Sequence, residues 1–283
     1  MRAVKTLFLL TALTLLLVLG GDAIAGQQGM TFGLIIAVVM NGVAYFFSDK
    51  IALRSSGAQP VTREQLPRLY EVMERLVAKA KLPMPKLYVI PQPAPNAFAT
   101  GRNPSHASVA VTAGLMELMN DDELEGVIAH ELSHVRNYDI LITSIAATLA
   151  GAITWIAHMG QYAMIFGGYG NSRDRRGGGL AALLMLFVAP IAALIIQLGI
   201  SRQREFAADA AGARMVGHPY GLVSALEKLG AYNKQIPMAV SPATASLFIV
   251  APLSAGQVLS GLFSTHPPLS ERIAVLRNMT VTR

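Results

Sequence analysis

The chain has 283 residues, 53% of them hydrophobic and only 14% charged, with a mean hydropathy of +0.45. An ordinary soluble domain is about one quarter charged, so this composition excludes one and points to a membrane. The absence of cysteine excludes a disulfide framework and thiolate metal sites, which leaves His, Asp and Glu for any transition metal. A net charge of +6 would suit nucleic acid, but the basic residues are not clustered with aromatics and the apolar excess argues against that partner.

Residues 6–21 and 30–47 are apolar runs near the length needed to cross a bilayer, separated by the short polar stretch "DAIAGQQG". Arg2, Lys5, an apolar core and Ala23-Ile24-Ala25 also resemble a cleavable signal. The length of the core and the immediate second run favour a retained hairpin. Arg2 and Lys5 precede it, Lys50, Arg54 and Arg63 follow it, and the loop inside it has no Lys or Arg. The positive-inside rule then places both ends in the cytoplasm. Thr62 with Gln65 predicts a capping box, followed by a helical stripe of Leu66, Leu69, Tyr70, Met73, Leu76 and Val77. Residues 86–90, 96–100 and 108–112 read as short strands bounded by Pro, Asn and Gly. Asn120 and Glu123 start another helix, with Asp121 and Asp122 favouring its dipole. Further apolar runs cover 140–167 and 180–200; the loop between them carries Arg173, Arg175 and Arg176, the wrong charge for an external loop.

The helix begun at Asn120 runs into "AHELSH" (129–134). Residues four apart share a helix face, so His130 and His134 can hold one zinc ion, at about 2.0–2.1 Å from each nitrogen. Glu131 lies about 100° round from His130, within reach of a water at the metal without being forced to ligate. Two solvent-facing histidines on a polar helix would be the bland alternative. A metzincin would need Gly at 137 and His at 140, where the chain has Asn137 and Ile140. The polar flanks "NDDELEG" and "VRNYD" exclude a motif buried within the bilayer. A third ligand from a second helix remains, and "SRQREFAADAAGARM" (201–215) supplies Glu205 and, one turn on, Asp209. The spacing suits Glu205 as ligand and Asp209 as acceptor for a ligating ring N–H. If Glu205 meets His130, the intervening chain crosses the membrane an even number of times. His134 is six residues before the third apolar run and Glu205 five after the fourth, so straight helices would set both within roughly 10 Å of the membrane boundary.

"NAFATG" (96–101), "HELSHVRNYD" (130–139), "REFAADAAGA" (204–213) and "THPPLSERI" (265–273) lie in order between hydrophobic hairpins. Together they resemble the HtpX-type membrane zinc metalloproteases, relatives of the CAAX prenyl proteases, over nearly the whole chain. The resemblance implies zinc held by His130, His134 and Glu205, Glu131 as general base and acid, and Asp209 behind the ligands. It further implies that His266 and Arg272 face the site and steady an oxyanion. Asn96, Ala97, Phe98 and Ala99 would belong to an edge strand whose backbone pairs with an extended substrate.

The expected fold is a mainly α integral membrane protein with up to four transmembrane helices and a discontinuous α+β, gluzincin-like metalloprotease domain. Residues 1–50 form the first hairpin, 51–139 the first half of the catalytic domain, 140–200 the second hairpin and 201–283 the second half. The resemblance implies a zinc endopeptidase of the bacterial cytoplasmic membrane, its site on the cytoplasmic side, that cuts damaged or misfolded membrane proteins. A non-catalytic scaffold would have no use for Glu131, and a prenyl-protein protease would want more spans. His106 and His218 fall in turns; His158 lies inside a candidate span, where an ionisable group is either functional or, beside Gly160 and Gln161, a mark of the membrane interface. Residues 246–252, "SLFIVAP", read as core or as a flap contacting substrate.

Overall fold

A computed structural model describes residues 2–149, 151, 202–233, 235, 247–250 and 267–281. The two N-terminal apolar runs form α1 (Arg2–Ser55), which breaks at Ala25 and Gly26, the latter at φ 58° and ψ −142°. Glycine tolerates that left-handed backbone, and the two limbs fold back on one another. Asn41 Nδ2 donates to Leu10 O at 3.2 Å and Thr14 Oγ1 at 2.9 Å across them. A Cβ at Gly21, Gly29 or Gly33 would stand 2.0–2.2 Å from a carbonyl oxygen of the facing limb, so side chains larger than hydrogen would separate the limbs. The two limbs thus form a helical hairpin. Phe8, Phe32, Val38 and Phe46 stand exposed along it, an apolar surface that suits lipid. Among the described residues one helix, Ala25–Ser55, is long and apolar enough to cross a membrane; Thr6–Asp22 and Asp139–Leu149 are shorter. Most of the expected second hairpin, 140–200, lies outside the described residues.

Beyond the hairpin the chain forms a four-stranded sheet, β1 (Gln59–Pro60), β2 (Lys86–Ile90), β3 (Ala97–Gly101) and β4 (Ala107–Thr112). The order is β1-β2-β4-β3, with β2 and β4 parallel and the other pairs antiparallel. All three expected strands are present. The two-residue β1 is additional, too short for any hydrophobic period to mark it.

Helix α2 (Pro67–Ala80) buries Leu69, Val72, Met73, Leu76 and Val77, as its stripe requires. Its start differs from expectation. The Gln65 side chain does accept from the Thr62 N–H at 2.9 Å, but those residues form a preceding turn, and the helix begins at Pro67. Proline suits that place because it lacks the N–H that a first turn leaves unpaired. The short α3 (Ala113–Leu118) leads to α4 (Asp121–Arg136), which opens with the expected reciprocal box between Asn120 and Glu123. Burial extends around most of α4, from Leu124 through Val135, because it lies at the centre of the domain. It packs on α2, on β3, and on α6 (Arg202–Val216) and α7 (Tyr220–Asn233). The final helix, α8 (Leu269–Arg277), rests on α6 and α7.

Between α4 and α6 lies α5 (Asp139–Leu149). Its Ile142, Ile145, Ala146 and Leu149 bury against Leu9, Leu13 and Ala44 of the hairpin. The motif helix does not run straight into this apolar segment: Tyr138, at φ 57°, breaks it.

Candidate metal centre

Glycine brings the two site helices together. A Cβ at Gly212 on α6 would lie 3.0 Å from His130 N and 3.1 Å from Ala129 C on α4. Asp209 and Glu205 precede Gly212 by three and seven residues, so all three share one face of α6. The backbone contact at Gly212 thus lays both carboxylates over the histidines. Gly212 was not singled out in the sequence, although a lone glycine inside a helical pattern usually has a packing reason.

His130 Nε2 and His134 Nε2 are 3.2 Å apart. Glu205 Oε2 is 3.7 Å from the first and Glu205 Oε1 is 3.6 Å from the second. A tetrahedral ion with bonds of about 2.0–2.2 Å sets neighbouring ligand atoms about 3.3–3.6 Å apart; the observed separations lie near that spacing, with one Glu205 oxygen facing each ring, so the three side chains are grouped closely enough to hold one metal ion. Their charge agrees. Burial opposes an imidazolium at His134, yet Glu205, Asp139 and Glu131 outweigh it and push that pKa up to about 9. The pocket is built to hold positive charge.

Glu131 is 2% exposed beside this triangle. Burial raises its pKa; His130 and His134 act against that, Glu205 adds to it, and a hydrogen bond from the Ala99 backbone opposes it, leaving the carboxyl above the ordinary range. A carboxyl whose pKa is raised holds a proton more readily than an ordinary one, which suits a group that must take and return protons.

Behind the rings, His130 Nδ1 lies 2.9 Å from Asp209 Oδ1. That contact turns the opposite nitrogen, Nε2, to the metal triangle. Asp209 in turn receives two bonds from Arg272, Nε to Oδ2 at 2.8 Å and Nη2 to Oδ1 at 2.7 Å. Burial would raise the Asp209 carboxyl, but the guanidinium prevails and lowers it to about 2. Arg272 is 0% exposed, and its remaining nitrogen, Nη1, donates to Ile249 O at 2.9 Å. Expected to face the site and steady an oxyanion, Arg272 lies on the Nδ1 side of His130, bonded to Asp209 and Ile249 O, with Nη1 4.0 Å from Glu205 Oε2. His266, its expected companion, lies outside the described residues.

The edge strand also differs in detail. β3 ends the described sheet, as expected, but residues 247–250 lie along its first half. Ile249 N donates to Ala97 O at 3.0 Å, and Asn96 Nδ2 donates to Val250 O at 2.8 Å. Phe98 is fully buried and meets Phe248 edge to face at 5.0 Å. Of the four expected substrate-pairing residues, Ala99 is the one whose backbone lies against Glu131. The apolar run read as core or flap is, over its described part, core.

Residues 63–280, which carry this whole constellation, match peptidase family M48. The chain is 56% identical over 274 residues to a protein named protease HtpX homolog from Desulfatibacillum aliphaticivorans, covering 96% of this chain and 88% of that one. It is 50% identical over 282 residues to the protein of that name from Pelotomaculum thermopropionicum, covering 99% and 100%. Among solved structures, Ste24p of S. mikatae has a similar fold, with a TM-score of 0.53 at 21% identity over 97% of this chain and 65% of that one. The four motifs, the metal-sized triangle and these similarities lead to one assignment: the chain belongs to peptidase family M48, among its HtpX-type membrane metalloproteases.

Proposed function

We propose that the protein is a zinc-dependent endopeptidase of the bacterial cytoplasmic membrane, with its site on the cytoplasmic side. Its catalytic domain is formed from two halves, 51–139 and 201–283, on either side of a second hydrophobic hairpin at 140–200. The observation that carries the reading is Glu131, a buried carboxyl beside a triangle of His130, His134 and Glu205 whose spacing fits one ion. When bound, zinc supplies a Lewis acid that polarises a carbonyl and acidifies water.

His130, His134 and Glu205 hold the ion. Asp209 positions His130, and Arg272 anchors Asp209 in place of the expected oxyanion contact. Glu131 takes a proton from the water whose oxygen bonds to the scissile carbonyl carbon. As the carbon–nitrogen bond breaks, Glu131 returns that proton to the leaving amine. The Ala99 backbone, beside Glu131, is the part of β3 assigned to an extended substrate, because Asn96 and Ala97 are engaged with 249–250. Substrates are damaged or misfolded membrane proteins presenting cytoplasmic segments: the quality-control role rests on the similarity to HtpX-type proteases, and the sidedness on the basic flanks of the hairpin.

Wild type and Glu131→Gln, purified in detergent without chelator, test this. Both should hold equal zinc, while cleavage of an unfolded protein falls about 10²–10⁴-fold in the variant. Equal zinc with equal cleavage would remove Glu131 from the mechanism, and zinc without cleavage in either protein would favour a scaffold.

A further inference from the structure

His130 has Asp209 and Arg272 behind it; His134 has a second arrangement of the same kind. Its Nδ1 faces Asp139 Oδ2 at 3.5 Å. Asp139 is 2% exposed, and its other oxygen lies 3.9 Å from Arg204 Nη1. Ring nitrogen, buried carboxylate and arginine therefore follow one another behind each histidine, on residues from different parts of the chain.

The backbone is shaped to make this contact. Had α4 continued, residue 139 would sit five positions past His134, about 140° round the helix and facing away from it. The helix ends instead in a left-handed turn at Tyr138, φ 57°, stabilised by Asn137 N to Ser133 O and Tyr138 N to Val135 O, both 3.0 Å. A bulky residue is an outlier in that region, which glycine or asparagine would occupy more easily. The Tyr138 side chain is 51% exposed, so burial of its ring does not account for the conformation. The turn brings Asp139 back beneath His134, at the start of α5, where its carbonyl accepts from Thr143 Oγ1 at 3.1 Å.

We propose that Asp139 is a positioning residue for His134: its carboxylate engages the Nδ1 side of the ring, turns Nε2 toward Glu205 and His130, and has Arg204 as its counter-charge. This rests on the zinc-site reading above. Partners behind a metal-binding histidine fix its tautomer and orientation, and losing one costs about 10–100-fold in metal affinity. The contact is longer than the 2.9 Å between His130 and Asp209, so the effect belongs near the lower end of that range.

The test uses the full chain in detergent, with Zn²⁺ titrated against a competing chelator, for wild type, Asp139→Ala, Asp139→Asn and Tyr138→Gly. Asp139→Ala should weaken zinc binding by about 10-fold. Asp139→Asn should fall between it and wild type, since it keeps an oxygen acceptor but loses the charge paired with Arg204. Activity at saturating zinc should recover further in Asn than in Ala. Tyr138→Gly, which relaxes the turn and keeps Asp139, should bind zinc as wild type does. Undiminished affinity in either Asp139 variant that folds overturns the proposal; with a lower zinc-free melting temperature, it would mark Asp139 as merely structural. Failure of the wild type to bind zinc would overturn the metal-site reading itself, a separate outcome.

Discussion

Arg272→Gln separates two roles that the side chain cannot both fill. In the structure the guanidinium is fully buried, gives two hydrogen bonds to Asp209, and spends its third nitrogen on Ile249 O. Removing one partner of a buried pair costs about 3–5 kcal/mol, because the other charge stays buried without compensation. A second route gives a similar size. Asp209 is held at about 2 against an ordinary 3.8, and at 1.36 kcal/mol per unit the gap is worth about 2 kcal/mol. These are two views of one interaction and are not summed. The lowered pKa gives its full contribution above about pH 4, and the contribution disappears as pH falls toward 2. The variant should therefore melt lower than wild type at pH 7, with the difference narrowing in acid. Because Asp209 orients His130, zinc affinity should also fall, by about 10–100-fold. The assays are melting temperature across pH and zinc competition, both on detergent-purified protein. An oxyanion donor would behave differently. If Arg272→Gln kept its melting temperature and zinc affinity while kcat alone fell about 10²–10³-fold, Arg272 would not be a buried positioning residue.

Two further substitutions test the frame around the site. Gly212→Val would push carbon against the α4 backbone at Ala129–His130, where even a single added Cβ would stand at 3.0–3.1 Å; overpacking of about 1–3 kcal/mol should lower melting temperature and zinc affinity together, and a variant that melts higher would show that α6 has room to move. Glu123 is 2% exposed and accepts from Lys228 Nζ at 2.7 Å, Ser224 Oγ at 2.6 Å and Asn120 N at 2.9 Å. Burial would raise its pKa, but these bonds outweigh it and lower it. Its contribution is thus complete above about pH 4.3 and lost as pH falls through the lower folded value. Glu123→Gln should lose about 1–3 kcal/mol at neutral pH and show a shallower acid dependence of melting, and an unchanged pH profile would exclude the carboxylate from that role.

What could be read from the sequence follows from how local each determinant is. The motif helix announced itself through short-range chemistry: Asn120 and Glu123 cap each other three residues apart, and His130 and His134 share a face four apart. Glu205 and Asp209 lie a turn apart on one helix, so their pairing with the histidines needed only one further supposition, that α6 meets α4. The direction in which Arg272 points has no such local sign. It depends on Asp209, 63 residues away, and on Ile249, and an arginine near a catalytic site reads equally well as facing substrate or facing inward. Residues 247–250 were equally ambiguous, since an apolar run carries no mark of whether it covers a strand edge or a core. Asp139 follows directly on the motif helix, and its partnership with His134 requires Tyr138 to adopt a backbone that tyrosine disfavours. Sequence logic places glycine or asparagine at such a turn, and here Asn137 stands one residue too early. The places where propensity was overridden, at Tyr138 and in the tight approach over Gly212, are those where the chain is held to bring carboxylates behind and beside two imidazoles. Local rules predicted the elements of this fold, and their local violations trace the site.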